Sequence, residues 1–346
     1  SSNVPYVKKR KRGRGKNINI TSPVILEAIN ILSLIGYYFL TIASQEETSM
    51  HISLNKRKRD AIAGYLFILP TFVGVMTFSI IPIFLSILLS FTDWNFAGKP
   101  NFVGLSNYVR EFSSDVFRKS LVNTVYYTIL SVPGQIIVSL IVALALNKLI
   151  KGKTFFRTVY FMPVITSTVA ISMVWTWIYD EKFGVINAIL KLFNIKGPAW
   201  LINEKLVLPS LAIIGIWRRF GYQMVLFLAG LQSISRHYYE AADIDGASSF
   251  AKFWYITLPL LTPTMFFACI TAIMNSFRVF DLAFIMTGGG PDYASHTLVL
   301  EVYRLAFQFM KVGPANAVAT IMFIFILVIT VIQLKLQEKW VFYEGD

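Results

Sequence analysis

From residue 61 onward the chain alternates between long apolar runs and short polar connections. Six runs stand out, at 62–90, 121–146, 158–179, 206–231, 260–284 and 315–336. Each is long enough to cross a hydrocarbon layer of roughly 30 Å as an α-helix. A seventh run, 24–43, has about the length of a span, but Glu27, Asn30, Ser33, Thr41 and Ser44 recur along one narrow face. Basic clusters flank it at 8–16 and 56–59. A spanning helix there would put one cluster outside, against the positive-inside tendency, so a surface-lying or peripherally packed helix is favoured over an extra span. No small-residue cleavage site comes after the run, which argues against a signal peptide. Met50 is a plausible start, which would make 1–49 an extension. The pattern divides the chain into a basic N-terminal extension, 1–60, and a six-span domain, 61–346.

Lys and Arg orient the spans. Lys56 to Arg59 precede the first; Lys148, Lys151, Lys153 and Arg157 lie between the second and third; Arg236 and Lys252 lie between the fourth and fifth. These connections belong inside. The alternate connections carry mixed charge and turn residues, as in 93–100, 180–182 with Gly197-Pro198, and 288–292, and belong outside. Prolines interrupt several runs, at Pro70, Pro82, Pro133, Pro163 and Pro263. They are either ordinary membrane-helix prolines or kinks that open a polar cavity near the midplane.

Composition agrees with an all-α polytopic membrane protein: 55% of residues are hydrophobic and 15% charged, with 29 Phe. The net charge of +13 reflects basic residues at the ends of apolar runs, so membrane lipid and not nucleic acid is the expected basic-patch partner. A single Cys, Cys269, rules out an internal disulfide framework, and the three His at 51, 237 and 296 are too scattered for a metal centre. There is no Gly-rich loop ending in Lys-Ser/Thr and no Ser-His-Asp set, so neither ATP hydrolysis nor other catalysis is expected of this chain.

Between the fourth and fifth runs lies a polar island, 236–259, that contains Glu240-Ala-Ala-Asp-Ile-Asp-Gly-Ala and ends in Thr257-Leu-Pro259. Gly246 permits a left-handed turn, and Ser248 or Ser249 is placed to cap the second half. Two short helices broken at Asp245-Gly246 are predicted. The island resembles the cytoplasmic coupling loop of ABC importer permeases, in the form EAAxxDGAxxxxxFxxxTLP typical of sugar permeases. Phe280-Asp281, Thr287-Gly-Gly-Gly-Pro291, Tyr303-Arg-Leu-Ala-Phe307, Phe161-Met-Pro163 and Ala229-Gly-Leu-Gln-Ser-Ile234 are similar to further stretches of the maltose-type family. The likeness covers about 60–340 and leaves the extension without a counterpart. Only a short connection separates the first two spans, unlike the maltose-system permease with a large exterior domain.

That resemblance implies a bacterial-type cytoplasmic membrane location and a heterodimer with a second permease subunit. It further implies two ATPase subunits, which bind ATP and Mg in place of this chain, and an extracytoplasmic solute-binding protein. Glu240 would face basic groups of an ATPase, Asp245 and Gly246 would form the turn, and Ala241, Ala242, Ala247 and Phe250 would fill its cleft. Tyr238 and Tyr239 are either interfacial or docking residues.

Polar residues inside the spans are the candidates for the substrate path. Trp217-Arg218-Arg219 with Tyr222 and Gln223 begins roughly 18 Å into the fourth run, where charge is costly unless it faces a cavity or a partner. In the fifth run Asn275, Arg278 and Asp281 are expected to share one face, with Arg278 and Asp281 at pairing distance. Either Arg278 pairs with Asp281 while Arg218 or Arg219 snorkels, or the arginines form a surplus-positive path suited to a carboxylate- or phosphate-bearing sugar, with Trp217 and Tyr222 stacking on its rings. Contact with a partner subunit is the remaining alternative. The expected cargo is an oligosaccharide or glycoside, acidic if the arginines read it. The rivals are a non-carbohydrate solute such as glycerol phosphate, or a non-transporting membrane sensor.

Overall fold

The computed structural model describes residues 56–148 and 151–342; the apolar run 24–43 and the basic stretch 8–16 lie outside them. The chain divides into two units between Val73 and Gly74. Helix α1 (Lys56–Val75) begins in the first, where its apolar side chains, such as Tyr65, Phe67 and Phe72, are exposed. Among the described residues, five helical segments are long and apolar enough to cross a membrane: 60–90, 115–148, 207–233, 262–287 and 312–340. A broken pair, 153–165 with 168–178, makes a sixth span if counted as one.

A π-helical turn, Met76–Ile80, separates α1 from α2 (Ile81–Ser90), and Pro82 comes directly after it. Proline lacks an N–H and its ring crowds the carbonyl four residues back, so a widened turn, closed by Ile81 N–H donating to Met76 O, accommodates it. After α3 (Ser106–Ser113) comes the long α4 (Asp115–Lys148). Its Ser120, Thr124 and Thr128 hydroxyls donate to carbonyls four residues back, leaving a face of small, satisfied side chains.

The third predicted span is a correction: it is not one helix. α5 (Lys153–Ile165) and α6 (Thr168–Ile178) meet at 95°. Pro163 weakens the hydrogen-bond ladder, Thr166 turns extended with its hydroxyl donating to Met162 O at 2.9 Å, and Ser167 starts the next helix. Next come α7 (Val185–Leu192) and α8 (Val207–Ser233). α4 and α8 form the most extensive helix pair of the second unit. Ser139 of α4 donates to Phe220 O of α8 at 2.9 Å. At Gly221 the α5 backbone comes so close that a Cβ would collide with the Tyr160 carbonyl.

The polar island forms α9 (Arg236–Ile244) and α10 (Ser249–Lys252); a second π-helical turn, Phe253–Thr257, and α11 (Leu258–Leu260) lead into α12 (Thr262–Phe277). α13 (Asp281–Thr287), α14 (Leu298–Tyr303) and the terminal α15 (Val312–Trp340) complete the chain. α15 packs on α2 and α14, and α13 on α6. At the end of α8 opposite the polar island, a buried network joins His296 Nε2 to Glu301 Oε2 at 2.8 Å, and Arg304 donates to Glu301 Oε1 at 3.0 Å.

Candidate functional site

Two polar sites emerge, the island and the arginine cluster. In the island, the Ser235 hydroxyl accepts from His237 N–H and starts α9. Gly246 adopts φ +74°, and Ala247 N–H returns to Ala242 O at 2.9 Å, closing the turn. Ser248, the nearer of the two candidate caps, accepts from Ala251 N–H at 3.2 Å. Lys252 and Asp243 join the two arms at 2.5 Å, and the Tyr239 hydroxyl shares a hydrogen bond with Thr257 at 2.9 Å. Tyr239 thus points into the protein, packed against the core that includes Phe227, Leu231 and Leu261.

The outward face is amphipathic. Phe250 is 72% exposed, Ile244 87% and Tyr255 83%, an apolar display that a water-facing loop does not keep without a partner. Glu240, Ala241 and Asp245 are exposed, while Ala242 and Ala247 are half-buried against the turn. Glu240 forms no ion pair with any described residue. Ile244 and Tyr255 were not singled out from sequence; their signal was bulk apolar character inside a polar stretch.

The second site lies where α8 passes the break between α12 and α13. Arg218, Arg219, Arg278, Asp281, Phe280 and Tyr127 line one small cavity of about 30 Å³. That volume holds a water molecule and not a sugar ring, so this conformation gathers the arginines without opening a substrate chamber. Arg218 Nε is buried without a hydrogen-bond partner. Arg278 Nε donates to Met274 O at 3.1 Å.

The expected pairing of Arg278 with Asp281 does not form. α12 stops at Phe277, Arg278 leaves helical geometry at φ −95°, ψ 18°, and α13 restarts at Asp281, so Asn275, Arg278 and Asp281 share no continuous face. A distant residue stabilises the break: the Thr297 hydroxyl donates to Val279 O at 2.9 Å, capturing a carbonyl that a continuous helix would use internally. Trp217 is partly exposed and meets Trp175 edge-on at 5.5 Å, and Tyr222 is likewise partly exposed. Gln223 is buried, donating to Ala268 O at 3.2 Å and Thr271 Oγ1 at 3.3 Å, and so ties α8 to α12. Neither Gln223 nor Asn275 lines the arginine cavity. Tyr127 does, with its hydroxyl against Gly215, where any Cβ would collide with it; nothing in the sequence around Tyr127 marked it.

Five helices long and apolar enough to cross a membrane, a broken pair that makes a sixth if counted as one, and a folded amphipathic loop between two of them are the frame of a multi-pass membrane protein. The chain belongs to the family described as binding-protein-dependent transport system inner membrane component, whose pattern matches residues 20–342. The match begins well before residue 60, so it takes in part of the extension expected to lack a counterpart. The chain is 35% identical over 293 residues to the probable ABC transporter permease protein YesP of Bacillus subtilis, covering 83% of this chain and 94% of that one. The multiple sugar-binding transport system permease protein MsmF of Streptococcus mutans is 34% identical, with 80% and 96% covered. The trehalose/maltose transport system permease protein MalF of Thermococcus litoralis is 35% identical, with 80% and 94% covered. Among solved structures, a chain of a bacterial alginate ABC transporter in complex with an alginate-bound periplasmic protein has the same fold, with TM-score 0.70, 22% identity, and 81% and 95% covered.

Proposed function

We propose that the chain is a permease subunit of an ATP-driven importer of oligosaccharides or glycosides. The folded island is its coupling loop on the cytoplasmic side. The observation that carries this reading is the loop itself: a capped, cross-braced helix pair that displays Ile244, Phe250 and Tyr255 together with an exposed Glu240 that has no ion pair among the described residues. Such a surface fits a cleft in a partner, with apolar insertion resisting slip and one charge setting the orientation. The partners are two ATPase subunits that hold ATP and Mg, a second permease subunit that supplies the other half of the pathway, and an external solute-binding protein. The sugar class rests on the names of the relatives at 34–35% identity.

Closure of the ATPases moves the loop, and the spans exchange inward for outward access. Arg218, Arg219 and Arg278 outnumber the single acid at their cavity, which favours a cargo bearing a carboxylate over a fully neutral one. A phosphate ester would satisfy the same guanidinium groups; the sugar names of the relatives favour a sugar cargo, and its acidic group is argued from the arginines alone. The test of coupling is Glu240→Lys in the assembled transporter. ATPase subunits are expected to dissociate more readily and uptake to fall at least about tenfold, the loss of one charge-assisted contact. Intact assembly with intact uptake overturns the coupling role.

A further inference from the structure

We infer that Tyr239, Thr257, Asp243 and Lys252 are positioning residues that join the loop to the fifth span, so that α9, α10 and the head of α12 move as one body. The inference rests on the coupling-loop reading and adds how the movement enters the membrane domain. A loop attached only at its two ends would rotate about Gly246, whose surroundings leave open space within 4 Å of a Cβ position. Two cross-braces oppose that rotation. Lys252 of α10 meets Asp243 of α9 at 2.5 Å, spanning the turn. Beneath it, the Tyr239 hydroxyl meets Thr257 Oγ1 at 2.9 Å, and the same Thr257 oxygen lies 3.3 Å from the Lys252 carbonyl that it donates to.

Thr257 is placed where it matters. It is buried and closes the π-helical turn Phe253–Thr257, in which Leu258 N–H reaches back five residues to Phe253 O. The next residues continue without a gap: Leu261 N–H donates to Thr257 O at 3.0 Å, and the Thr262 hydroxyl to Pro259 O at 2.6 Å. A widened turn with a proline just after it is the weakest point of the connection between loop and span, since its ladder is stretched and interrupted. The Tyr239 hydrogen bond falls on that point. Tyr239 itself is seated in the core shared by α8, α4 and the start of α12, so the brace connects three helices and not only the loop to itself. The Asp243–Lys252 pair is partly exposed, with the Asp side chain 63% accessible. Such pairs add little to stability, which leaves geometry as their effect.

The test uses the full transporter reconstituted with its second permease, ATPases, binding protein and sugar, and reads sugar moved per ATP hydrolysed. Tyr239→Phe and Thr257→Val keep ring and volume and remove only the hydroxyls. Each is expected to retain assembly and sugar-stimulated ATP hydrolysis while transport per ATP falls about fivefold, the population shift that one hydrogen bond of ordinary net strength supports. Thr257→Ser restores the ratio. The exchange Asp243→Lys with Lys252→Asp is expected to recover what either single change loses. An unchanged ratio in both isosteric variants overturns the inference while leaving the coupling loop standing; intact assembly and uptake in Glu240→Lys overturns the loop reading itself. A second measurement applies if a hydroxyl variant fails to accumulate. Asp243→Cys and Lys252→Cys on a Cys269→Ala background are joined by a short bifunctional crosslinker. Sustained uptake supports a loop that moves as one body, and loss of uptake on crosslinking overturns it.

Discussion

Arg304 and Arg218 are both partly buried arginines in the helical body, yet one is enclosed by partners and the other is not. Arg304 donates to Glu301 Oε1 and to the Tyr293 hydroxyl, each at 3.0 Å, and lies over the rings of Tyr293 and Phe309 at 5.1 and 5.2 Å. His296 completes the network from the other side of Glu301. The Nε atoms of both are buried without a hydrogen bond, but that of Arg304 lies 3.0 Å from Glu301 Oε2, whereas Arg218, beside two more arginines at its small cavity, has no ion pair among the described residues. A buried charge without a partner is costly. The first set is closed by its own counter-charge; the second carries three arginines and one acid at its cavity.

The largest expected effect breaks the first set. Glu301→Gln leaves Arg304 and His296 facing a neutral amide in a buried site, and stability measured by thermal unfolding in detergent should fall by about 3–5 kcal/mol. An unchanged unfolding temperature would remove the distinction between the two sets. The second test addresses Arg218. Arg218→Gln, which removes no partnered contact of Nε, should change stability by less than about 1 kcal/mol. It should lower uptake of a uronate-bearing oligosaccharide by about tenfold or more, as expected for one charged hydrogen bond, and leave a neutral analogue unaffected. Equal loss for both sugars would assign Arg218 to the enclosed kind.

The smallest effect is a pH dependence that separates two neighbouring carboxylates. Burial raises the Glu301 pKa, but the His296 hydrogen bond and the Arg304 charge outweigh it and hold the carboxyl below 4.5. Its stabilisation is therefore present above pH 4.5 and lost as pH falls through the lowered value. Glu111 goes the other way: burial pushes it above 4.5 in spite of Arg110. Folding then favours its protonated form, so the ionised carboxylate is a liability at about pH 7. Glu111→Gln should be more stable than the unaltered protein at about pH 7, with an advantage that shrinks as pH falls toward 4.5. An advantage independent of pH would show that packing and not charge decides at Glu111.

Much of the island was legible because its determinants are local. A glycine at the turn and a serine after it act within a few residues, and Gly246 and Ser248 take those roles; Ser235, which starts α9, was not read from the sequence. The arginine site was legible in part: charge in an apolar run marks a cavity or a partner, and Arg218, Arg219 and Arg278 do converge. The assumed Arg278–Asp281 pair failed because helical spacing presumes a continuous helix. Thr297, distant in sequence, takes the Val279 carbonyl and helps hold the chain out of that helix.

The sequence by itself determined the helical class, the approximate limits of the five unbroken apolar spans and the turn of the loop. These come from periodicity, length and capping, which are properties of neighbouring residues. Only the tertiary structure decided the 95° bend between α5 and α6, the seating of Tyr239 on Thr257, the placing of the Tyr127 hydroxyl against Gly215 and the enclosure of His296 with Glu301. Each of these depends on packed helices or on backbone breaks whose final geometry local pattern does not encode, and an apolar interior leaves every polar group to find its partner there.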